Sequence, residues 1–238
     1  MRGQSLTAGV RQERMNSAAT KRVVLLGAVA GGVTAGYFKF LRTLHMTWGA
    51  TQEEVAATLP GDELMPKPKV VSTRAVEIDA PASAVWPWLV QMGPGRGGAY
   101  TYDWLERRLG VEMQNTDEIH PEFQHMAVGD EFPMPGGFAF RVEIFDPEKT
   151  LAFRSTDDRW VWSFELVPDG TQTRLISRNR IDTTGYKAKQ WLGYSVMEPG
   201  SWVMERKMLL TIKELAEDLA HATPASTPED DAPQTASA

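Results

Sequence analysis

The chain has no cysteine, which excludes disulfide frameworks, thiolate nucleophiles and thiolate-ligated metals and leaves the redox compartment unread. Histidine is scarce, with 4 in 238 residues. The nearest grouping with metal-ligand chemistry is Glu118, His120, Glu122 and His125. It contains no histidine pair at helical i, i+4 spacing, and His120 precedes a proline, so the expectation is a polar loop with no metal. Basic residues are outnumbered, 25 Lys and Arg against 31 Asp and Glu, for a formal net charge of -6. That balance argues against a nucleic-acid binder, which must neutralise phosphates with clustered cations. No cofactor is expected. What remains, 42% hydrophobic and 24% charged, is the composition of one globular domain with extensions.

The extensions differ from the middle. From residue 222 to 238 the chain is rich in Ala, Pro, Thr, Ser and acid without apolar periodicity, too poor in buriable surface to offset its ordering entropy. A disordered tail is expected there. At the other end a basic stretch, residues 1 to 22 with Arg2, Arg11, Arg14, Lys21 and Arg22, precedes "VVLLGAVAGGVTAGYFKFL", residues 23 to 41, whose one charge is Lys39. As a helix this run reaches roughly 28 Å, close to a bilayer's hydrocarbon thickness. A membrane anchor is the leading reading. A cleaved signal peptide ending at "VTA" and a buried Gly/Ala-rich helix stand beside it. For an anchor, the basic flank places the N-terminus in the cytoplasm and makes this a single-pass membrane protein whose C-terminal domain is extracytoplasmic. Gly27 with Gly31, and Gly32 with Gly36, also give G-x-x-x-G spacings through which two anchor helices could form a homodimer.

"GPGRGG", residues 93 to 98, matches G-x-G-x-x-G, and Asp117 and Glu118 come about twenty residues later. Dinucleotide binding needs a strand before the glycines and a helix N-terminus after them. Here the preceding segment, "ASAVWPWLVQM", carries Val85, Trp86, Leu89 and Val90 at helical spacing, with Pro87 expected to kink it. The glycines therefore read as a helix stop and a turn into a second helix, "TYDWLERRLG".

Residues 42 to 69 form a connector in which "TQEE", from Thr51, is a capping-box helix start. The main domain, 70 to 221, opens with a strand that places Val76 and Ile78 on one face, and Pro81 then starts the helix. From Gly129 five short alternating segments separated by turn chemistry predict an antiparallel meander. Phe138, Phe140, Val142 and Ile144 share one face of the second segment, and Trp160, Trp162, Phe164 and Leu166 share one face of the fourth. A long amphipathic helix closes the domain, opening at Pro199 and Ser201 and repeating Met204, Met208, Ile212, Leu215 and Leu219. Its stripe needs the sheet's apolar face as a partner.

This order, with the motif "EIDAPASAVWPWLVQMG" and the segments "WGATQEE", "LPGDEL" and "EPGSWVMERKML", resembles the START-like, or helix-grip, superfamily, which includes polyketide cyclases and lipid-transfer proteins. The likeness spans about residues 48 to 219 and carries no catalytic assignment. It implies an α+β fold, a curved antiparallel sheet wrapped around a long C-terminal helix, with an elongated pocket between them.

On the last strand Arg174, Arg178 and Arg180 alternate with Leu175, Ser177 and Asn179. Burying charge without partners is costly, so the arginines are expected outside as a solvated stripe guarding an edge. Placed inside, they would hold an anionic head group. The first arrangement leaves Ser177 and Asn179 as polar points in a pocket whose other ligand-binding residues are Phe140, Trp160, Trp162, Phe164, Leu175, Met204, Met208 and Ile212. The expectation is a membrane-tethered module for a hydrophobic small molecule, a lipid, polyketide or isoprenoid. The alternatives are a cyclase- or hydrolase-type enzyme using Tyr102, Asp103 or Asn179, and a scaffold with a filled core. Tyr100, Tyr102, Asp103 and Glu106 otherwise read as the polar side of a helix.

Overall fold

A computed structural model describes residues 32, 36, 40–104, 113–134 and 137–222. The chain divides into two compact units, Met1–His45 and Met46–Ala238. In the first, the described residues are helical. The expected anchor, 23 to 41, otherwise lies outside the described residues, as do the tail from 223 onward and most of "TYDWLERRLG" after Trp104. Among the described residues no helix is long and apolar enough to cross a membrane.

The second unit is built on one six-stranded antiparallel sheet. Its strands are β1 (Val70–Ile78), β2 (Glu131–Met134), β3 (Phe138–Asp146), β4 (Thr150–Ser155), β5 (Trp160–Asp169) and β6 (Gln172–Ile181), in the spatial order β1-β6-β5-β4-β3-β2. Strands β2 to β6 are the expected meander. The first strand then closes on the last, with Val70 opposite Ile181 and Ile78 opposite Thr173. Alternation aims Phe140, Val142, Leu151, Phe153, Phe164, Leu166 and Leu175 into one buried core. Ile144 departs from the expected face, because a register shift between Val142 and Ile144 inserts a residue. Beyond the shift Phe145 turns inward instead, against Trp86 at 5.3 Å between ring centroids.

Among the described residues three complete α-helices accompany the sheet: α1 (Gln52–Ala56), α2 (Ala82–Val90) and α3 (Ala188–Ala222). Thr51 caps α1 as the sequence predicts, accepting from Glu54 N at 3.1 Å while Glu54 Oε2 accepts from Thr51 N at 2.7 Å. Helix α2 buries Val85, Trp86, Leu89 and Val90 against the core and retains Pro87 within its span. Helix α3 starts at Ala188, well before the expected opening at Pro199, which lies inside it. That proline is exposed, so water can take up the carbonyl its missing N–H leaves bare. The inward stripe of α3 is also rotated from the expected one: Glu205, Met208, Leu209, Ile212 and Ala216 are buried, whereas Met204, Leu215 and Leu219 are half-buried.

The stripe of arginines is corrected in two respects. It does point away from α3, but β6 is an interior strand paired on both sides, and the connector covers it. Arg178, 2% exposed, gives its Nε hydrogen to Thr73 Oγ1 (3.1 Å) and its terminal hydrogens to Asp62 Oδ2 (2.8 Å) and to the carbonyls of Glu54, Val55 and Ala57. Arg174 holds Glu54, with Nε 2.8 Å from Oε1, and Arg180 Nη1 lies 2.8 Å from Asp62 Oδ1. Beside them Leu59, Ala75 and Ile176 form a second, small apolar core. The cost of burying the cation is thus offset by a full set of acceptors, and the connector is strapped to the sheet.

Arg178→Met should be strongly destabilising, by about 3–5 kcal/mol, since it takes one of two guanidinia from the buried Asp62 carboxylate and removes the donors to the carbonyls of Glu54, Val55 and Ala57. Urea denaturation would measure this. Limited proteolysis should then cut first within 50 to 66, the segment the guanidinium holds.

Candidate functional site

The inner face of β6 carries Leu175, Ser177 and Asn179 toward α3, as expected for the alternation, and all three are buried. The acid they meet is one that the sequence reading passes over: Glu205, buried on α3. Its carboxylate pairs with Arg74 of β1, 1% exposed. Ser177 Oγ donates to Glu205 Oε1 at 2.7 Å, and Asn179 Nδ2 lies 3.1 Å from Oε2 and 3.2 Å from Oε1. The network continues into the aromatic face. Trp162 Nε1 donates to Ser177 Oγ at 2.9 Å, and Trp160 Nε1 donates to Asn179 Oδ1 at 2.8 Å. Burial pushes the Glu205 carboxyl up from the ordinary carboxylate range, against the pull of Arg74 and of the hydrogen bonds from Ser177 and Asn179.

Both residues leave a signal in the sequence. Glu205 falls at i, i+3, i+4 and i+7 with Met208, Leu209 and Ile212, so a charge stands in the apolar stripe. Arg74 sits within "VVSTRAVEI", a strand buried along most of its length. A lone charge at a core position of each of two elements is the pattern of a buried pair.

From this network outward the wall is aromatic. Trp160 and Trp162 stack with centroids 6.0 Å apart, Phe140 meets Trp160 at 4.8 Å, and Phe138 meets Phe140 at 5.6 Å. Trp160, Trp162, Phe138, Phe132 and Met134 are half-buried, so the wall reaches the surface. An apolar cavity of about 60 Å³ opens in it, lined by Phe140, Trp162, Phe153, Phe132, Met134, Met113, Met92, Ala99, Gly93 and Pro94. Of the expected site residues, Phe140 and Trp162 border the cavity. Phe164, Leu175, Met208 and Ile212 pack in the core, and Met204 is half-buried.

The glycine turn supplies the cavity's rim. Gly93 and Gly98 face each other, Gly93 N donating to Gly98 O at 2.8 Å. Gly98 has φ +82, and a Cβ there would lie 2.5 Å from Asn115 Oδ1, so glycine is required by both conformation and space. The element before the turn is α2, so the turn lacks the strand that dinucleotide binding requires. Gln91 at the end of α2 ties down the segment beyond the turn, donating to Tyr100 Oη at 3.0 Å and to Glu118 O at 3.1 Å and accepting from His120 N at 3.1 Å. Burial pushes the Tyr100 hydroxyl up to about 12. Asp103 accepts from Asn115, and Tyr102 packs beside Trp104. Among the described residues no hydrogen bond joins Tyr102 or Asp103 to Asn179. His120 engages Thr116 Oγ1 at 3.0 Å and lies 3.7 Å from Glu122, and no group of three His, Asp or Glu among the described residues is placed to hold a metal.

No protein-family model matches the chain, and no curated protein does. Solved structures similar to it include the following three. One is a crystal structure of a Mesorhizobium loti protein, at 22% identity over 61% of this chain and 97% of that one, TM-score 0.35. Another is the solution structure of a polyketide-cyclase-like protein of Corynebacterium glutamicum, at 16% identity over 66% and 93%, TM-score 0.34. The third is the Aha1 dimer of Colwellia psychrerythraea, at 18% identity over 61% and 98%, TM-score 0.33. The chain has the START-like helix-grip fold by its own strand order, antiparallel pairing and long C-terminal helix.

Glu205→Ala should destabilise the domain by about 3–5 kcal/mol, because it removes the carboxylate of a buried ion pair. The double variant Arg74→Met, Glu205→Leu should recover most of that loss. Thermal unfolding of both variants checks the pairing, which fails if the double change is as damaging as the two losses summed.

Proposed function

We propose that the domain binds an apolar small molecule against the Trp160–Trp162 wall, entering beside the glycine turn. One observation carries the reading: both indole N–H groups are committed inward, to Ser177 and Asn179. What the two tryptophans present outward is therefore hydrocarbon ring surface. A ligand there gains chiefly from burial of apolar area, at roughly 25 cal/mol per Å², with few hydrogen bonds to orient it. The consequence is broad specificity among lipids, polyketides or isoprenoids. The cavity of about 60 Å³ has the volume of about two waters in the liquid, so a ligand of that size class must displace part of the half-buried wall. The methionines at its rim, Met92, Met113 and Met134, are side chains that adapt readily.

The enzyme reading is less favoured. Ser177, Asn179 and Glu205 spend their hydrogen-bonding capacity on one another and on Arg74 and the indoles, so none of these three is poised as an acid or base toward the wall.

Uncharged N-phenyl-1-naphthylamine should bind residues 46–222 saturably with a rise in fluorescence. Ala99→Leu, which fills the cavity at a cost of about 1–3 kcal/mol, should abolish binding while the domain stays folded. Trp162→Ala should weaken it about tenfold, or 1.4 kcal/mol. A probe that does not saturate, or that ignores Ala99→Leu, overturns the proposal.

The tether belongs to the same proposal, supported by the apolar run 23 to 41 behind a basic flank. The full chain should sediment with membranes, and protease added to spheroplasts should remove the domain. Recovery in the soluble fraction would refute the anchor, and full protection from protease would refute the extracytoplasmic orientation.

A further inference from the structure

A second space lies on the other side of the sheet. Between the connector and the outer face of β1 and β6 runs a groove of about 580 Å³, within the range of small-molecule sites. Its apolar walls are Val55 and Ala56 of α1, Pro66, and Val71 of β1. Val55 and Val71 are each exposed by about two fifths, 39%, an unusual state for a valine facing another across a cleft.

The polar side of the groove is cationic and incompletely matched. Arg178 is saturated, each of its N–H groups given to Thr73, Asp62 or a carbonyl of the connector. Arg180 differs. Its Nε donates to the Met65 carbonyl at 2.9 Å and its Nη1 faces Asp62 Oδ1 at 2.8 Å, which leaves Nη2 uncommitted among the described residues. Asp62 is the one carboxylate paired with both guanidinia, so two cations share one anion. Two other acids stand nearby. Glu63 is at the exposed rim, where its Oε2 accepts from Gly61 N at 3.0 Å. Glu165 of β5 has a carboxyl that burial pushes up. An oxyanion at Nη2 would complete the charge balance and the planar fork of the guanidinium together.

We infer that this groove is a second ligand site, for a monoanionic amphiphile: a carboxylate at Arg180 Nη2 with a short hydrocarbon chain lying between Val55 and Val71. One negative charge suits a guanidinium that already shares Asp62 with Arg178, whereas a dianion would meet Asp62 and Glu63 at close quarters. The hydrocarbon chain is what the valine walls select, since they offer no hydrogen bond. The site is separate from the tryptophan wall, because the sheet lies between them, and it stands or falls independently of that proposal.

The test is octanoate titrated into residues 46–222, monitored by calorimetry and by amide chemical shifts. Saturable binding is expected, with the largest shifts at 55–58 and 71–73, and octanol should bind at least tenfold more weakly. Arg180→Gln should bring octanoate down to the octanol level. Val71→Trp, which closes the groove from its exposed wall and touches no ion pair, should abolish binding with the melting temperature kept. Octanoate affinity equal to that of octanol, or affinity unchanged in Val71→Trp, overturns the inference. So does an effect of Ala99→Leu as large as that of Val71→Trp, which would assign octanoate to the tryptophan wall instead.

Discussion

The arrangement of this domain depends on the pairing of Arg74 with Glu205. Each charge is buried, and neither is tolerable there without the other, because the desolvation of an isolated ion exceeds anything the surrounding apolar contacts return. The pair therefore fixes the separation of α3 from β1 and the rotation of α3 about its axis. Everything aromatic hangs on that setting. Glu205 orients Ser177 and Asn179, these in turn accept the two indole N–H groups, and the indoles fix which faces are left for a ligand. An apolar binding surface is thus shaped by a polar network that no ligand needs to touch.

Strand β6 serves two chemistries at once. Its even-numbered residues Arg174, Arg178 and Arg180 fasten the connector, and the odd-numbered residues between them serve the network under α3. Such a strand is locked in register from both faces, since a slip by one residue would send the guanidinia toward the indoles and the core leucine into the connector. The interior position of β6 makes this possible. At an edge the arginines would have faced water, as the sequence suggests when the closing of β1 onto β6 is not known.

That difference marks how far the sequence can be read. Period-two alternation in β5 and β6 reveals which residues share a face, and the helical spacing of Val85, Trp86, Leu89 and Val90 disposes of a nucleotide-binding reading of "GPGRGG". The capping box at Thr51 is local chemistry and forms as written. What is not legible depends on distant partners. The connector's carbonyls that satisfy Arg178 carry no side-chain signature. The extra residue before Ile144 leaves no mark in an unbroken alternation from Phe138 to Ile144. Pro199 signals a helix start, yet an exposed proline is tolerated inside α3. Glu205 is visible as a charge in an apolar stripe, but a stripe centred on Met204 leaves the acid on its flank.

The strap across the outer face also sets an order of events. Arg178 and Asp62 are separated by 116 positions, and the guanidinium is the later of the two to be made. At a synthesis rate of about 5–20 residues per second, the connector leaves the ribosome roughly 6–23 seconds before the strand that holds it exists. Throughout that interval Leu59 has no small core to join, and β1 has an unpaired flank on the side that β6 will occupy. Until β6 emerges the nascent chain therefore exposes the Leu59 side chain and one flank of β1, surfaces that a chaperone can cover and that the strap later closes.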